Sequence, residues 1–301
     1  MKDRLELRAD IHLIIVAIIW GSGFIATEYA IKANMNVSLI MASRFSVAAL
    51  ILLFTSIRQL KDIKGRELKH GIIAGCILFV AFYTQTVGQS TTTVSNSAFI
   101  TATNVIMVPF IVWLITRKRP PLKSFILAIF TLIGVGVLTI SPMNGISSFN
   151  FGDLMIFVCA IGFALHIAYL EIAVKNSSAK IITFVQITTA AILSIVVLLI
   201  FDMDSFASID LESGLPAVLY LGIFSTCICY FMQTAAQKYT SASKTGIILS
   251  MEGFFGTLFS VILSLEPLTV KIIIGGAIIL SAVILTEIEI KPNHKVSRKI
   301  N

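Results

Sequence analysis

Charge is what this chain has least of. Aspartate, glutamate, lysine and arginine make up 13% of its 301 residues against 56% hydrophobic, and the mean hydropathy is +0.93. A soluble domain carries about 25% charged residues, because its water-facing surface needs them. A chain this poor in charge cannot cover such a surface, which excludes an ordinary soluble globule. Cysteine is scarce too. Cys76, Cys159, Cys227 and Cys229 all fall inside apolar runs, where thiols behave as small apolar groups, so neither a disulfide framework nor a zinc site is expected. Catalytic signatures are missing. There is no His-Glu-x-x-His metal site, no Gly-x-Ser-x-Gly elbow and no Gly-x-x-x-x-Gly-Lys-Ser/Thr phosphate loop. Histidines and acids are scattered. These absences speak against a membrane enzyme and, for the phosphate loop, against an ATP-driven pump in a single chain. No cofactor or metal is expected.

What is present is a series of long apolar runs. About twenty apolar residues, rising about 1.5 Å each, cross a hydrocarbon layer of roughly 30 Å. Polar breaks divide the chain into ten such runs, at about residues 11–31, 37–57, 70–89, 93–116, 122–140, 152–172, 180–201, 214–236, 244–265 and 268–288. Proline supports the divisions. Pro120 and Pro121 stop the fourth run, Pro142 follows the fifth, and Pro216 and Pro267 stand near the starts of the eighth and tenth, where a missing amide proton costs least. Only Pro109 lies mid-run. The first run lacks a small-x-small cleavage site and reads as an uncleaved span rather than a signal peptide. The expected fold is therefore an all-α integral membrane protein with ten transmembrane helices, its first partner the lipid bilayer.

Lysine and arginine set the orientation. They crowd the N-terminus (Lys2, Arg4, Arg8), the loop from Arg58 to Lys69, the loop from Arg117 to Lys123, and the tail from Lys291 to Lys299. Lys175, Lys180, Lys238 and Lys244 flank two further loops on that side, whereas the opposite side has Lys32, Lys271 and an acidic loop with Asp202, Asp204, Asp210 and Glu212. Both termini are expected in the cytoplasm, with the protein in the plasma (inner) membrane. The net charge of +7 is thus a topology signal, of loops beside anionic lipid, and no nucleic-acid partner is expected.

The chain also repeats itself. Gln85, Thr86, Gln89, Thr92, Ser95 and Ile100 recur at the same spacing as Gln233, Thr234, Gln237, Thr240, Ser243 and Ile248, and Gly23-Phe24 has a weaker echo in Gly162-Phe163. Two halves follow, residues 1–143 and 150–290, with 291–301 as a basic cytoplasmic tail. Each half holds five spans, an odd number, so the second must insert upside down. Two inverted five-helix repeats of this kind are a recurring design of secondary transporters, whose sites lie near mid-membrane where the repeats meet.

Three segments carry a family resemblance. Trp20-Gly21-Ser22-Gly23-Phe24 in the first run, Ser97-Ala98-Phe99-Ile100-Thr101 leading to Val108-Pro109-Phe110 in the fourth, and Leu249-Ser250-Met251-Glu252-Gly253 followed by Leu265-Glu266-Pro267-Leu268-Thr269 together resemble the EamA-type transporters of the drug/metabolite transporter superfamily. The likeness covers nearly the whole chain. It implies a carrier of small metabolites such as amino acids or related compounds, and export as the direction of transport.

Polar residues within the runs are the candidate site, since a charge at the bilayer centre costs about 2.5–3.5 kcal/mol on insertion scales and needs a reason. Glu252 is the sharpest case, and it aligns with Asn104 in the repeat. The faces carrying Thr245, Leu249 and Gly256, and Ser97, Thr101 and Val108, are expected to form facing cavity walls. Glu252 is a candidate to carry coupling protons or to balance a cationic group of a substrate; its structural alternative is a hydrogen-bonded carboxyl between helices. His166 is a second proton-coupling candidate, against the role of an interhelical hydrogen bond. Gln85 and Gln233 lie deep enough to bind solute, while Gln89 and Gln237 are expected to cap helix ends. Trp20, Phe24, Tyr83, Phe163, Tyr169 and Tyr230 are candidates to line a cavity for an apolar or zwitterionic solute. Arg44 and Glu28 are expected to pair, or Arg44 to snorkel to the headgroups. Gly71-x-x-x-Gly75 reads as close helix packing.

The expectation is a secondary transporter working by alternating access on a small-molecule substrate, with proton coupling through Glu252. Its rivals are a polytopic enzyme and a channel or scaffold without turnover. Monomer and homodimer are equally compatible with these loops.

Overall fold

A computed structural model describes residues 2–92, 94–139, 150–202, 209–263 and 268–287, and among them every regular element is helical. In chain order they are α1 (Lys2–Lys32), α2 (Val37–Ser56), a short 3₁₀ turn (Leu60–Asp62), α3 (Gly65–Gln89), α4 (Val94–Ala102), α5 (Asn104–Thr116), α6 (Leu122–Thr139), α7 (Phe151–Ala173), α8 (Ala179–Phe201), α9 (Leu211–Tyr220), a π-helical stretch (Leu221–Ile228), α10 (Cys229–Ala236), α11 (Ala242–Leu249), α12 (Met251–Ile262) and α13 (Val270–Glu287). Every apolar run of the sequence is occupied by helix. Among the described residues six are long and apolar enough to cross a membrane, from Arg4–Lys32 to Leu211–Ala236, and shorter apolar helices lie at Ile100–Thr116, Leu122–Val137 and Ile273–Leu285. Pro142, Glu266, Pro267 and the 291–301 tail lie outside the described residues.

Small polar residues start the helices. The Asn36 carboxamide accepts from the Leu39 amide at 2.7 Å, Ser241 from Lys244 at 3.3 Å, and Asn150 and Asp153 form a reciprocal capping box at 2.9 and 3.1 Å. These side chains satisfy amides that the first helical turn leaves without partners.

Radially the molecule is built the reverse way from a soluble protein. Leu50, Phe54, Leu114, Ile200 and Ile284 are exposed, whereas Arg44, Gln186, Gln233, Asn104 and His166 are buried. An exterior of large apolar side chains suits lipid, and the bundle interior is where polar groups find each other.

Helices of the two halves interleave, and their contacts come in pairs related by exchanging the halves. α2 packs on α8, and α6 on α13; α3 packs on α7 as α1 packs on α9 and α10; α1 packs on α12 as α7 packs on α4 and α5. Gly71 and Gly75 make the α3–α8 contact possible: a methyl there would meet Val185 at 2.5 Å and the Gln186 carbonyl at 2.5 Å.

Three of the ten runs are interrupted, and two interruptions match. Between α4 and α5 the Thr103 hydroxyl donates to the Ile100 carbonyl at 2.6 Å, and between α11 and α12 the Ser250 hydroxyl donates to the Ile247 carbonyl at 2.6 Å. At each break the next bond closes three residues on, Ile106 to Thr103 and Gly253 to Ser250. A hydroxyl bonded back to its own preceding turn competes with the α-helical ladder and bends or breaks it. The third interruption is the π stretch in the eighth run, whose wider turn releases backbone groups for other partners.

Candidate solute-binding cavity

The breaks and the π stretch converge on one cavity. Asn104 opens α5 and Glu252 follows one residue after the start of α12, and both line it. The α1 motif Trp20-Gly21-Ser22-Gly23-Phe24 crosses the same region, and its small residues explain themselves. A methyl on Gly21 would meet the Gly256 amide at 2.7 Å and the Glu252 carbonyl at 2.9 Å, so glycine is what lets α1 and α12 approach beside Glu252. Gly23 leaves room for the Ser225 hydroxyl, Ser22 bonds to the Tyr220 hydroxyl, and the Trp20 indole donates to the Ser225 carbonyl at 2.8 Å.

Arg44 is the residue that the sequence undervalued. It is 2% exposed, so it does not snorkel, and Glu28 instead bonds Lys32 one turn along at 3.3 Å. The Arg44 Nε donates to the Thr226 hydroxyl at 3.1 Å, and the guanidinium carbon stands 4.3 Å from the centre of the Phe82 ring. Thr226, like Ser225, belongs to the π stretch. That segment thus holds both the indole and the guanidinium that line the cavity. No ion pair to Arg44 or to Glu252 forms among the described residues.

Aromatic rings connect the two sides. From Arg44 the series runs to Phe82, then to Tyr230 at 5.9 Å between centroids, then to His166 at 5.7 Å and Trp20 at 5.3 Å. Phe163 meets Phe82 edge-on at 5.0 Å. Offset and edge-to-face pairs of this kind fix ring positions. Behind them, Gln186 accepts from His166 Nε2 at 2.9 Å while donating to the Thr234 hydroxyl at 3.1 Å. With the Gln186 amide oriented so that its oxygen faces His166 and its nitrogen Thr234, His166 carries its proton on Nε2 and its Nδ1 is an acceptor. That Nδ1 has no partner, and neither do the Tyr230 hydroxyl and the Gln233 carbonyl oxygen, although these three side chains are at most 1% exposed. Buried polar atoms in native proteins are nearly always bonded. Three orphans around one cavity mark places that a bound molecule would satisfy.

Of the residues expected from sequence, Trp20, Phe24, Gln85, Asn104, Phe163, His166, Tyr230, Gln233 and Glu252 line the cavity together. Three do not. Thr101 stands behind the wall, accepting from the Gln85 amide at 3.4 Å; Tyr83 packs on Phe79; Tyr169 bonds His70 Nδ1 at 2.7 Å. Their helices turn these side chains to other neighbours. Gln89 and Gln237 do more than cap helix ends: each donates to a carbonyl on the first helix of its own half, Phe24 at 3.1 Å and Ile167 at 2.8 Å. Gln89 lines the cavity as well. Arg44, Phe82 and Ser225 were not anticipated as lining. The available signal was the insertion cost of a lone arginine, the same that singled out Glu252.

The cavity is narrow. The centre of a water-sized sphere has about 40 Å³ in which to move, room for a few waters at about 10–15 Å³ each. At the end holding the basic loops the bundle is tied by Lys244, which reaches from α11 to Asp10 at 2.9 Å and Glu6 at 3.4 Å on α1. Glu171 beside it accepts from the Ala242 amide at 2.9 Å. Among the described residues no cluster of metal-binding side chains occurs.

Comparison with known proteins agrees with this architecture. The EamA-like transporter family matches the chain twice, over residues 7–140 and again over 150–288. An uncharacterized transporter of Archaeoglobus fulgidus is 31% identical over 95% of this chain and 87% of its own length. The uncharacterized transporter YetK of Bacillus subtilis is 21% identical over 95% and 88%. A solved crystal structure superposes with a TM-score of 0.75 at 15% identity, covering 93% of this chain and 96% of the other; likeness at that identity concerns the fold alone. With the family found in both halves, a helical membrane bundle around one polar cavity and a relative matched almost end to end, the chain is a polytopic membrane protein belonging to the EamA-like transporter family of the drug/metabolite transporter superfamily, a transporter and not an enzyme.

Proposed function

We propose that the chain is a secondary carrier that exports small metabolites, amino acids or related compounds, by alternating access, and that Glu252 couples their movement to protons. The observation that carries the reading is the cavity itself: an arginine, a carboxyl group and three orphaned polar atoms gathered in an apolar bundle, at helix breaks that occur in both halves. Discontinuous helices at the junction of two repeats are where carriers of this design bind substrate. The two halves, residues 1–143 and 150–290, are taken as inverted repeats in the plasma membrane with both termini in the cytoplasm.

Two further features fit. The cavity as it stands has room for a few waters, so loading a larger solute requires its walls to part. Lys244, 12% exposed and bonded to Asp10 and Glu6 on another helix, is a tie that can break and re-form between two states. A channel needs neither feature. Glu252, held in the interior without an ion pair, has the position of the acidic groups that relay protons in membrane carriers.

Counterflow of labelled solutes in proteoliposomes, with a pH-sensitive dye inside, tests the reading. Saturable exchange accompanied by proton movement is expected from the wild type, with the proton signal lost in Glu252→Gln. Solute movement that never saturates would overturn the carrier mechanism. Exchange that is equal in both proteins without proton flux would leave a carrier in which Glu252 has no coupling role.

A further inference from the structure

Resting on the carrier reading, we propose that the cavity recognises a small zwitterion in one orientation, its carboxylate on Arg44 and its ammonium on an acceptor cluster formed by Glu252, His166 Nδ1 and the Gln233 carbonyl oxygen. The two ends differ in what they lack. Arg44 spends its Nε on Thr226, and the other donors of its guanidinium form the flat fork that matches a carboxylate. The Phe82 ring at 4.3 Å holds that fork in place. The other end lacks donors. Gln233 uses its amide on Gln237 at 3.3 Å and leaves its oxygen bare, while the bond from His166 Nε2 to Gln186 leaves Nδ1 bare. Glu252 adds a carboxyl group. An ammonium group has three donors and no acceptor, so it satisfies this end and cannot satisfy the other.

The two polar ends also suit a solute that carries both charges. An unpaired charge held out of water is costly, and removing one member of a buried pair leaves that cost in full. A solute with a single charge matches one end and leaves the other unmatched. A zwitterion matches both. Ring contacts link Arg44 through Phe82 and Tyr230 to His166, so the guanidinium and the imidazole sit on different members of one aromatic series. Trp20, Phe24 and Phe163 offer the apolar surface for whatever side chain it bears.

The test compares charge-deleted analogues on the intact protein. Each protein amino acid is offered singly in counterflow; for one that exchanges, its carboxamide and its deaminated acid are then compared, followed by Tm shifts in detergent. Each analogue is expected to compete about ten- to a hundredfold less well than the amino acid, the range of one charge-assisted hydrogen bond. In Arg44→Gln the amino acid is expected to fall to the level of its carboxamide, with the deaminated acid weakened further. In Glu252→Gln it is expected to fall towards the deaminated acid. Arg44→Lys, which keeps the charge without the fork, should recover part of the loss and guards against misfolding of the glutamine variant. Wild-type exchange that ignores either deletion overturns the zwitterion while leaving the carrier. Exchange of uncharged or singly charged solutes with no amino acid active does the same. Absence of saturable exchange for any solute instead sinks the carrier reading.

Discussion

The two broken helices are built alike and equipped differently. Both turn on a hydroxyl bonded to the carbonyl three residues back, Thr103 to Ile100 and Ser250 to Ile247. Beyond the break the first half presents the neutral Asn104 and the second half the acidic Glu252. The second and seventh runs show the mirror case. Arg44 lies as far past its cap Asn36 as Gln186 lies past Ser178, yet one is a cation facing the cavity and the other a neutral amide bonded to His166 and Thr234. Each half therefore brings one ionisable side chain and one amide, at different places. Duplication accounts for the shared geometry, and divergence at two positions accounts for a cavity lined by one guanidinium and one carboxyl group.

The largest effect is expected from erasing that asymmetry. Glu252→Gln makes the second break resemble the first, and solute-driven proton flux should fall at least about tenfold, a loss of about 1.4 kcal/mol or more in coupling. Asn104→Asp, which charges the first break, should leave the Glu252 signal in place if the two walls have distinct tasks. Equal loss in both variants would mean that the breaks are functionally interchangeable, and the comparison fails.

Next comes the glycine contact that serves only the second break. Gly21→Ala forces a methyl against the Gly256 amide at 2.7 Å, and backbone cannot give way as a flexible side chain can. A loss of about 1–3 kcal/mol, the usual range for overpacking, should lower Tm in detergent. An unchanged Tm would show that α1 and α12 are free to move apart there. The Lys244 tie lies mostly out of solvent, with the lysine 12% and Asp10 8% exposed, so Lys244→Gln should cost stability on a similar scale, about 1–3 kcal/mol. Its clearer effect should be faster labelling of a cysteine introduced at Gln233 from the side of the basic loops. Labelling no faster than in the wild-type background would remove Lys244 as a tie between states.

The smallest effect is expected at the breaks themselves. Thr103→Val and Ser250→Ala each delete one hydroxyl bond, worth about 0.5–1.5 kcal/mol, and the two losses should be similar. A much larger loss at Ser250 would show that the second break is held chiefly by its hydroxyl and the first by packing.

Much of the cavity was legible before any tertiary contact was known. Glu252 and His166 stand out because an ionisable residue in an apolar run needs a reason, and Gln233 because it repeats Gln85. Arg44 carried the same kind of signal, but its local surroundings also allowed a pair with Glu28 or a reach to the headgroups. Only the packing of α2 against the π stretch decided between them. Tyr83 and Tyr169 had the right chemistry on the wrong faces. In a helix that is apolar nearly all round, periodicity does not say which face turns inward.

The amino-acid order by itself determined that the chain is a membrane protein of ten apolar runs in two related halves. In lipid every backbone group must be satisfied within its own helix, so runs of sufficient length and hydropathy have one structural outcome. The tertiary structure decided which side chains share the cavity, where three runs break or widen, and which nitrogen of His166 is left bare. Those features depend on partners distant in sequence, Thr226 for Arg44, Gln186 for His166 and Gly256 for Gly21, and no local pattern in the chain encodes which distant partner a helix face will meet.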